Sequence, residues 1–469
     1  MGKSFVFAAA ALIAALGAPA HAGKESATGA KAHPVASEAR AMLARLVSFR
    51  SVAGSPGLFA MADYLAGEFR RAGFEERDIE FVRAGGSVGL IVRYRPRGPS
   101  RRAPVLFLSH MDVVDAKATE WASDPWQLTE RQGALYGRGA VDNKYGLVTQ
   151  ALAFIRLKRE GFSPARELIL AFSGDEETEM ATTQALAERL RGAAFAINSD
   201  AGGGYRGGNG KAAYSIQAGE KTYATFELTV RNDGGHSSRP RPDNAIYELA
   251  RVLPRIEQHI FPARWNKVTL DSFRALLPTL PAEVATPLAA FIANPSEGRA
   301  RAVAAAEAGL APELRTTCVA TMLRAGSAEN ALATEATATV NCRIFPGETV
   351  ADTRAILERV AAQPGLEVRT LGEPKEGPVS DVPPDASAAL AAVLAVRAPA
   401  AAVSPYLEVG ATDGLHFRRA GIPTVGMGPL FAGEDSNYNY HGIDERLPLA
   451  EFEEGLDHYF VMMRAVAGR

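Results

Sequence analysis

His110, Asp142, the pair Glu176-Glu177, Asp200 and His441 are the residues of this 469-residue chain best suited to chemistry. Imidazole and carboxylate are hard to borderline ligands, and a bridged pair of divalent cations needs about five such groups, including one shared carboxylate. One metal would need three or four. The set therefore points to two metals and to hydrolysis by activated water. Neither cysteine has a histidine near it in sequence and no G-x-S-x-G elbow is present, so a covalent nucleophile finds no support.

These residues sit where secondary structure should end. The apolar run Val105-Leu106-Phe107-Leu108 stops at Ser109-His110-Met111-Asp112, Leu168 to Phe172 runs into Ser173-Gly174-Asp175-Glu176-Glu177, and Phe195 to Asn198 into Ser199-Asp200. Such runs read as strands buried on both faces. Helical patterns at Leu147 to Arg159 and Thr183 to Arg191 alternate with them, so the sheet should be largely parallel, with its site outside the carboxyl ends of the strands. Asp142 follows glycines in Gly137-Arg138-Gly139-Ala140-Val141-Asp142, which allow a tight fold around the carboxylate; a helix N-cap is the competing role. The adjacent Glu176 and Glu177 diverge on an extended chain, which suits one ligand and one general base. Two decoys are set aside. The Asp142 loop lacks the Lys-Ser/Thr ending of a phosphate loop, and Gly202 to Gly207 matches a dinucleotide fingerprint by letter but precedes a strand-like segment.

The fold class expected is α/β: a catalytic domain with a mostly parallel central sheet flanked by helices, plus an inserted ferredoxin-like α+β lid domain. Residues 1–22 have the charged start, apolar middle and Ala20-His21-Ala22 ending of a signal peptide, and 23–35 form a flexible leader, so an exported protein, periplasmic or secreted, is expected. The catalytic domain takes 36–221 and 373–469, opening with a helix at 36–46 and closing with one at 451–466. The lid takes 222–372 in the order β, α, β, β, α, β, with a helical insertion at about 261–310. A net charge of −2 excludes a general attraction to nucleic acid or anionic membrane, and nothing in this reading requires stable membrane insertion. Cys318 and Cys342 are expected as two free buried thiols, with a cross-strand disulfide as the option that export would permit.

The motifs His110-Met111-Asp112, Gly139-Ala140-Val141-Asp142-Asn143-Lys144, Asp175-Glu176-Glu177, Gly235-His236-Ser237-Ser238, Arg343-Ile344-Phe345-Pro346-Gly347 and Gly410-Ala411-Thr412-Asp413-Gly414 resemble those of the M20 metallopeptidases. That family includes carboxypeptidases, dipeptidases and aminoacylases. The resemblance implies Asp142 as bridging carboxylate, His110 and Asp200 as further ligands of one metal, and Glu177 and His441 as those of the other. It implies Glu176 as general base, Asp112 as the group orienting His110, and His236 as an oxyanion donor. Asn330, Arg343, Gly410 and Thr412 become substrate contacts, Arg343 suited to a carboxylate. The cofactors implied are two divalent ions, zinc before cobalt or manganese, and the substrate a small peptide cleaved next to a free C-terminal carboxylate or, alternatively, an N-acyl amino acid. A homodimer through the lid is a further option. A silent ligand-binding relative would have lost a ligand or the base, and none is missing. His33, His259, His416 and His458 lack motif context and are expected in packing or surface roles.

Overall fold

The apolar runs that end in polar clusters form the middle of a ten-stranded sheet. The structure is a computed structural model that describes residues 33–207 and 211–468. The expected signal peptide and residues 23–32 of the leader lie outside the described residues. Within this sheet, Leu168–Ser173, Val105–His110, Phe195–Asn198 and Thr424–Gly426 are parallel neighbours in that order. Ser87–Tyr94 and Ile79–Ala84 extend one side antiparallel, while Ala212–Glu220, Gly203–Arg206 and Phe431–Gly433 extend the other. The sheet is thus mixed, with a mainly parallel centre. Every residue of Val105–His110 and Leu168–Ser173 is buried, as strands covered on both faces require.

Helix Lys144–Arg159 is enclosed nearly all round, buried from Lys144 through Ile155 and again at Leu157, with Lys144, Thr149 and Gln150 among the buried residues. It is packed on by helices Ala36–Ser48 and His458–Ala467, which is why its pattern is continuous rather than a single stripe. The expected last helix divides into Leu449–Gly455 and His458–Ala467. Gly455 explains the tight approach there: a Cβ on it would stand 2.1 Å from the Tyr145 hydroxyl and 3.0 Å from the Pro429 carbonyl.

The chain divides into two units, 1–218 with 380–406 and 412–469, and 219–379 with 407–411. The second unit is a four-stranded antiparallel sheet in the order Thr317–Ala325, Glu335–Ile344, Thr222–Arg231, Glu367–Leu371. Helices Ala245–Gln258 and Val350–Ala361 join its core, where Phe226, Leu228, Leu249, Val252, Val340, Ile344 and Leu357 are buried. The insertion folds as helices Lys267–Leu276, Ala282–Ala293 and Glu297–Ala306, the first and third capped by Asn266 and Ser296. This unit gains 407–411 because the Lys221 amide donates to the Glu408 carbonyl at 2.9 Å, a pairing between distant segments that no local pattern reveals.

The two thiols are not free. Cys318 and Cys342 are joined in a disulfide, facing each other across antiparallel strands whose register pairs these two residues. Register decides the matter, because a slip of one residue would send the two side chains to opposite faces. Among the described residues, no helix is long and apolar enough to cross a membrane.

Candidate metal centre

Three parallel strands present their polar termini along one edge of the sheet, with Val105–His110 in the middle: His110 ends opposite Ser173, and Phe195–Asn198 ends opposite Leu108, so that Asp200 follows two residues on. His110 closes its strand with no exposed surface. Its Nδ1 lies 3.0 Å from the main-chain oxygen of Asp112, which can only accept, so Nδ1 carries the hydrogen and Nε2 a lone pair. That lone pair faces Asp142 Oδ1 at 3.0 Å and Asp200 Oδ1 at 3.7 Å. The other oxygen of Asp142, Oδ2, lies 3.1 Å from Nε2 of His441, which is also 3.0 Å from Glu177. Lone pairs aimed at one another in this way need a proton or a cation between them.

Asp112 contacts both His110 and the acid pair. Its carbonyl holds His110, while its carboxylate accepts the amides of Glu176 and Glu177, each at 3.1 Å, and so fixes the acid pair. Helix capping falls to Asp175, whose carboxylate accepts the amides of Ala181 at 2.7 Å and Thr182 at 3.0 Å. Asn143, not Asp142, precedes the helix at Lys144, and it makes no capping bond through its side chain. The glycine at 146 lets that helix close on the site, since a Cβ there would meet Asn143 Oδ1 at 2.2 Å and Ser199 Oγ at 2.5 Å.

Donor atoms of His110, Asp142 and Asp200 lie within 4.8 Å of one another, as do those of Asp142, Glu177 and His441, and those of His110, Glu176 and Glu177. Two ligands each about 2.0–2.1 Å from a tetrahedral zinc stand roughly 3.3 Å apart, close to the spacings seen here. The donor set therefore fits a pair of divalent ions sharing Asp142.

Charge supports the same reading. Burial pushes the Asp200 carboxyl up to about 7 against the opposing pull of His110. It likewise raises Glu176 well above the usual range, with Asp200, Asp413 and Glu177 adding to the effect and His110 opposing it. Burial would raise Asp142 too, but hydrogen bonds with His110 and His441 hold it well below the ordinary carboxylate value. Hydrogen bonds to Asp142 and Glu177 lift His441 to about 10. Crowded, desolvated acids with few cations of their own are what bound divalent ions relieve.

The remaining expected residues are dispersed. In the second unit, His236 pairs with Ala331 on a short two-stranded ribbon, and the Ser237 amide donates to the Asn330 carbonyl at 3.0 Å, so His236 and Asn330 are neighbours. His236 Nδ1 lies 2.8 Å from Ser238 Oγ. Arg343 stacks on Tyr223, 4.6 Å from the ring centroid, and donates through Nη1 to the Val409 carbonyl, which puts it beside the segment holding Gly410. Thr412, in the first unit, is buried, and its hydroxyl accepts the Gly414 amide at 3.2 Å.

Three buried charges near the centre were not singled out from sequence. Asp413 receives the hydroxyls of Ser173 at 2.7 Å and Thr183, and burial raises its carboxyl to about 6. Its signal was the Thr412-Asp413-Gly414 motif itself. Arg138 and Glu445 form a buried ion pair at 2.8 Å; they lie in the glycine loop and four residues beyond His441, where a charged residue ordinarily reads as solvated. Of the unassigned histidines, His458 is fully buried and His33 pairs with Asp457 at 2.9 Å, consistent with packing and surface roles.

The model of peptidase family M20/M25/M40 matches residues 106–465. The chain is 29% identical over 379 residues to the N-fatty-acyl-amino acid synthase/hydrolase PM20D1 of Xenopus tropicalis, covering 77% of this chain and 72% of that one. Its fold is similar to that of the M20 family metallo-carboxypeptidase Sso-CP2 of Sulfolobus solfataricus, with a TM-score of 0.68 at 18% identity over 92% of this chain and 99% of the other. It is also similar to that of the YXEP protein of Bacillus subtilis, a dinuclear metal-binding peptidase, with a TM-score of 0.57 at 12% identity over 92% and 97%.

Proposed function

The chain belongs to peptidase family M20/M25/M40 and is a hydrolase of amide bonds, and from that premise we propose that it is an exported di-zinc peptidase cleaving next to a free C-terminal carboxylate. One observation carries the di-metal part: Asp142 turns one oxygen to His110 and the other to His441, the geometry of a bridging carboxylate. Two divalent ions would supply Lewis acidity to the scissile carbonyl and a lowered pKa to water. His110, Asp142 and Asp200 would hold one and Asp142, Glu177 and His441 the other, with zinc favoured by the mixed imidazole and carboxylate set over cobalt or manganese.

Glu176 is the assigned base. Desolvation raises its proton affinity, so it can take a proton from the attacking water and return it to the departing amine. Asp112 keeps Glu176 and Glu177 in place through their amides. To the second unit, proposed as a lid, we assign the substrate contacts His236, Asn330, Arg343 and Gly410, with Thr412 from the first. His236 would donate to the developing oxyanion. Arg343 would meet the substrate carboxylate, which requires it to exchange its bond to the Val409 carbonyl for that partner.

A second reading, hydrolysis of N-acyl amino acids, is favoured by the PM20D1 likeness over 77% of the chain. A panel of dipeptides and of acetyl and longer acyl amino acids, each with and without chelator, decides. Chelator-sensitive cleavage of dipeptides alone supports the peptidase, cleavage of acyl amino acids alone supports the second reading, and chelator-insensitive turnover contradicts both.

Export is supported by the Cys318–Cys342 disulfide, which an oxidising compartment would preserve. Fractionation of the source cells tests it; a full-length cytosolic chain would contradict it. A homodimer through the second unit is supported by the edge strand Thr317–Ala325, where Val319 and Leu323 are 61% and 62% exposed. Light scattering on the full chain and on Leu323→Lys checks this, and a monomeric parent chain would refute it.

A further inference from the structure

Glu445 belongs to none of the donor groups above, yet it has no exposed surface and all its acceptor capacity is in use. Oε2 accepts from Arg138 Nη1 at 2.8 Å and the Gly139 amide at 2.9 Å. Oε1 accepts the amides of Val141 at 2.8 Å and Asp142 at 3.1 Å. Four donors saturate a carboxylate, so this one has no oxygen lone pair left for a metal. Arg138, 3% exposed, continues the network from its other nitrogen: Nη2 donates to the carbonyls of His441 at 3.2 Å and Gly442 at 3.0 Å.

The His441 segment needs such a restraint. Asn439, His441 and Asp444 all have positive φ, at 53°, 55° and 56°, where residues with a Cβ are strained. Such conformations persist only where the surroundings over-determine them. Here the Glu445 carbonyl accepts the Gly137 amide at 3.1 Å, and Asp444 Oδ1 accepts the Ala122 amide at 3.0 Å. Arg138 bonds to the carbonyl of His441 itself.

We propose that Glu445 and Arg138 are positioning residues that clasp the Asp142 loop to the His441 loop and so set the distance between the shared carboxylate and the terminal imidazole. The inference rests on the di-metal reading above. The two loops are separated by about 300 positions in sequence; main-chain pairing joins them at Gly137 and Glu445, and this buried pair is what ties the Asp142 amide and the His441 carbonyl to one side-chain network, so loosening it frees His441 to leave Asp142 without removing any ligand.

The test uses the full chain, Glu445→Gln and Arg138→Lys, with Zn²⁺ alone as probe in competition with a chromophoric chelator. Glutamine keeps the volume but sets an NH₂ group against amides that also donate, and lysine cannot reach Glu445 and both carbonyls at once. Zn²⁺ affinity is expected to fall 10- to 100-fold in either variant, the range found when groups orienting metal ligands are removed. At saturating Zn²⁺, kcat per mole of folded, metal-loaded chain should stay lowered on an amide that the parent chain cleaves, whereas a merely destabilised variant would regain the parental value once its unfolded fraction is discounted. Should Glu445→Gln fail to fold, Arg138→Lys carries the test, since it keeps the charge beside Glu445. A folded variant with parental Zn²⁺ affinity and kcat overturns the clasp. A parent chain that takes up no Zn²⁺ overturns instead the reading beneath it, and shows this before any substitution is made.

Discussion

The amide of Glu176 donates to Oδ1 of Asp112 at 3.1 Å, and the other oxygen of that carboxylate takes the amide of Glu177 at the same distance. One buried side chain thus fixes the proposed base and the proposed ligand together, although their own side chains diverge. The acid pair is held by its backbone, which leaves both carboxylates available for chemistry.

Glu176→Gln keeps this backbone anchorage and removes only the titratable oxygen. It should retain both metal ions, measured by elemental analysis, and lose kcat by about 10²- to 10⁴-fold, the contribution usual for a general base. Retained activity would remove Glu176 from that role.

Glu176 must be ionised to accept a proton, and burial raises its pKa above the usual 4.5. Activity should therefore rise with pH through an acid limb of kcat/KM set by Glu176, raised by burial and pulled down by the bound cations. Replacing zinc by a cation of weaker Lewis acidity should move that limb up. A limb that stays in place when the cation is exchanged contradicts the assignment.

His458 is buried without charge, its Nδ1 2.9 Å from Arg397 and its Nε2 3.2 Å from the Met427 carbonyl. Burial and the Arg397 charge depress its pKa well below 6.5. The stability it permits is present above about pH 6.5 and is lost as pH falls toward the folded-state value, by up to about 1.4 kcal/mol per pH unit. His458→Gln should be less stable at pH 7.5 but lose less between pH 6.5 and 5. Thermal melts at both pH values check the slopes, and equal slopes would refute the prediction.

The disulfide ties an edge strand to its neighbour across a sequence separation of 24. Closing a loop of that size restricts the unfolded chain by about 3 kcal/mol. Cys318→Ala with Cys342→Ala should lower the urea midpoint of the full chain accordingly, and a reductant should do the same to the parent. An unchanged midpoint in both would show that the bridge is absent in solution.

Much of the site was legible because a strand covered on both faces leaves an uninterrupted apolar run, and the first polar residues after it fall at the sheet edge. His110, Glu176 and Asp200 stand where Leu108, Phe172 and Ile197 predicted. What escaped depended on contacts between distant segments. The cysteine pairing needed the register of two strands, and the need for glycine at 455 reflects Tyr145, some three hundred residues earlier in the chain. An acid such as Glu445 resembles any surface loop residue until the fold sets the amides of 139–142 against it.

The most direct measurement is the metal content of the purified chain after loading with Zn²⁺ and removal of free ion, compared with Asp142→Asn. The shared carboxylate predicts two ions per chain in the parent and loss of one or both in the variant, together with loss of amide hydrolysis. Fewer than two ions in the parent, or a variant that keeps both, would contradict it.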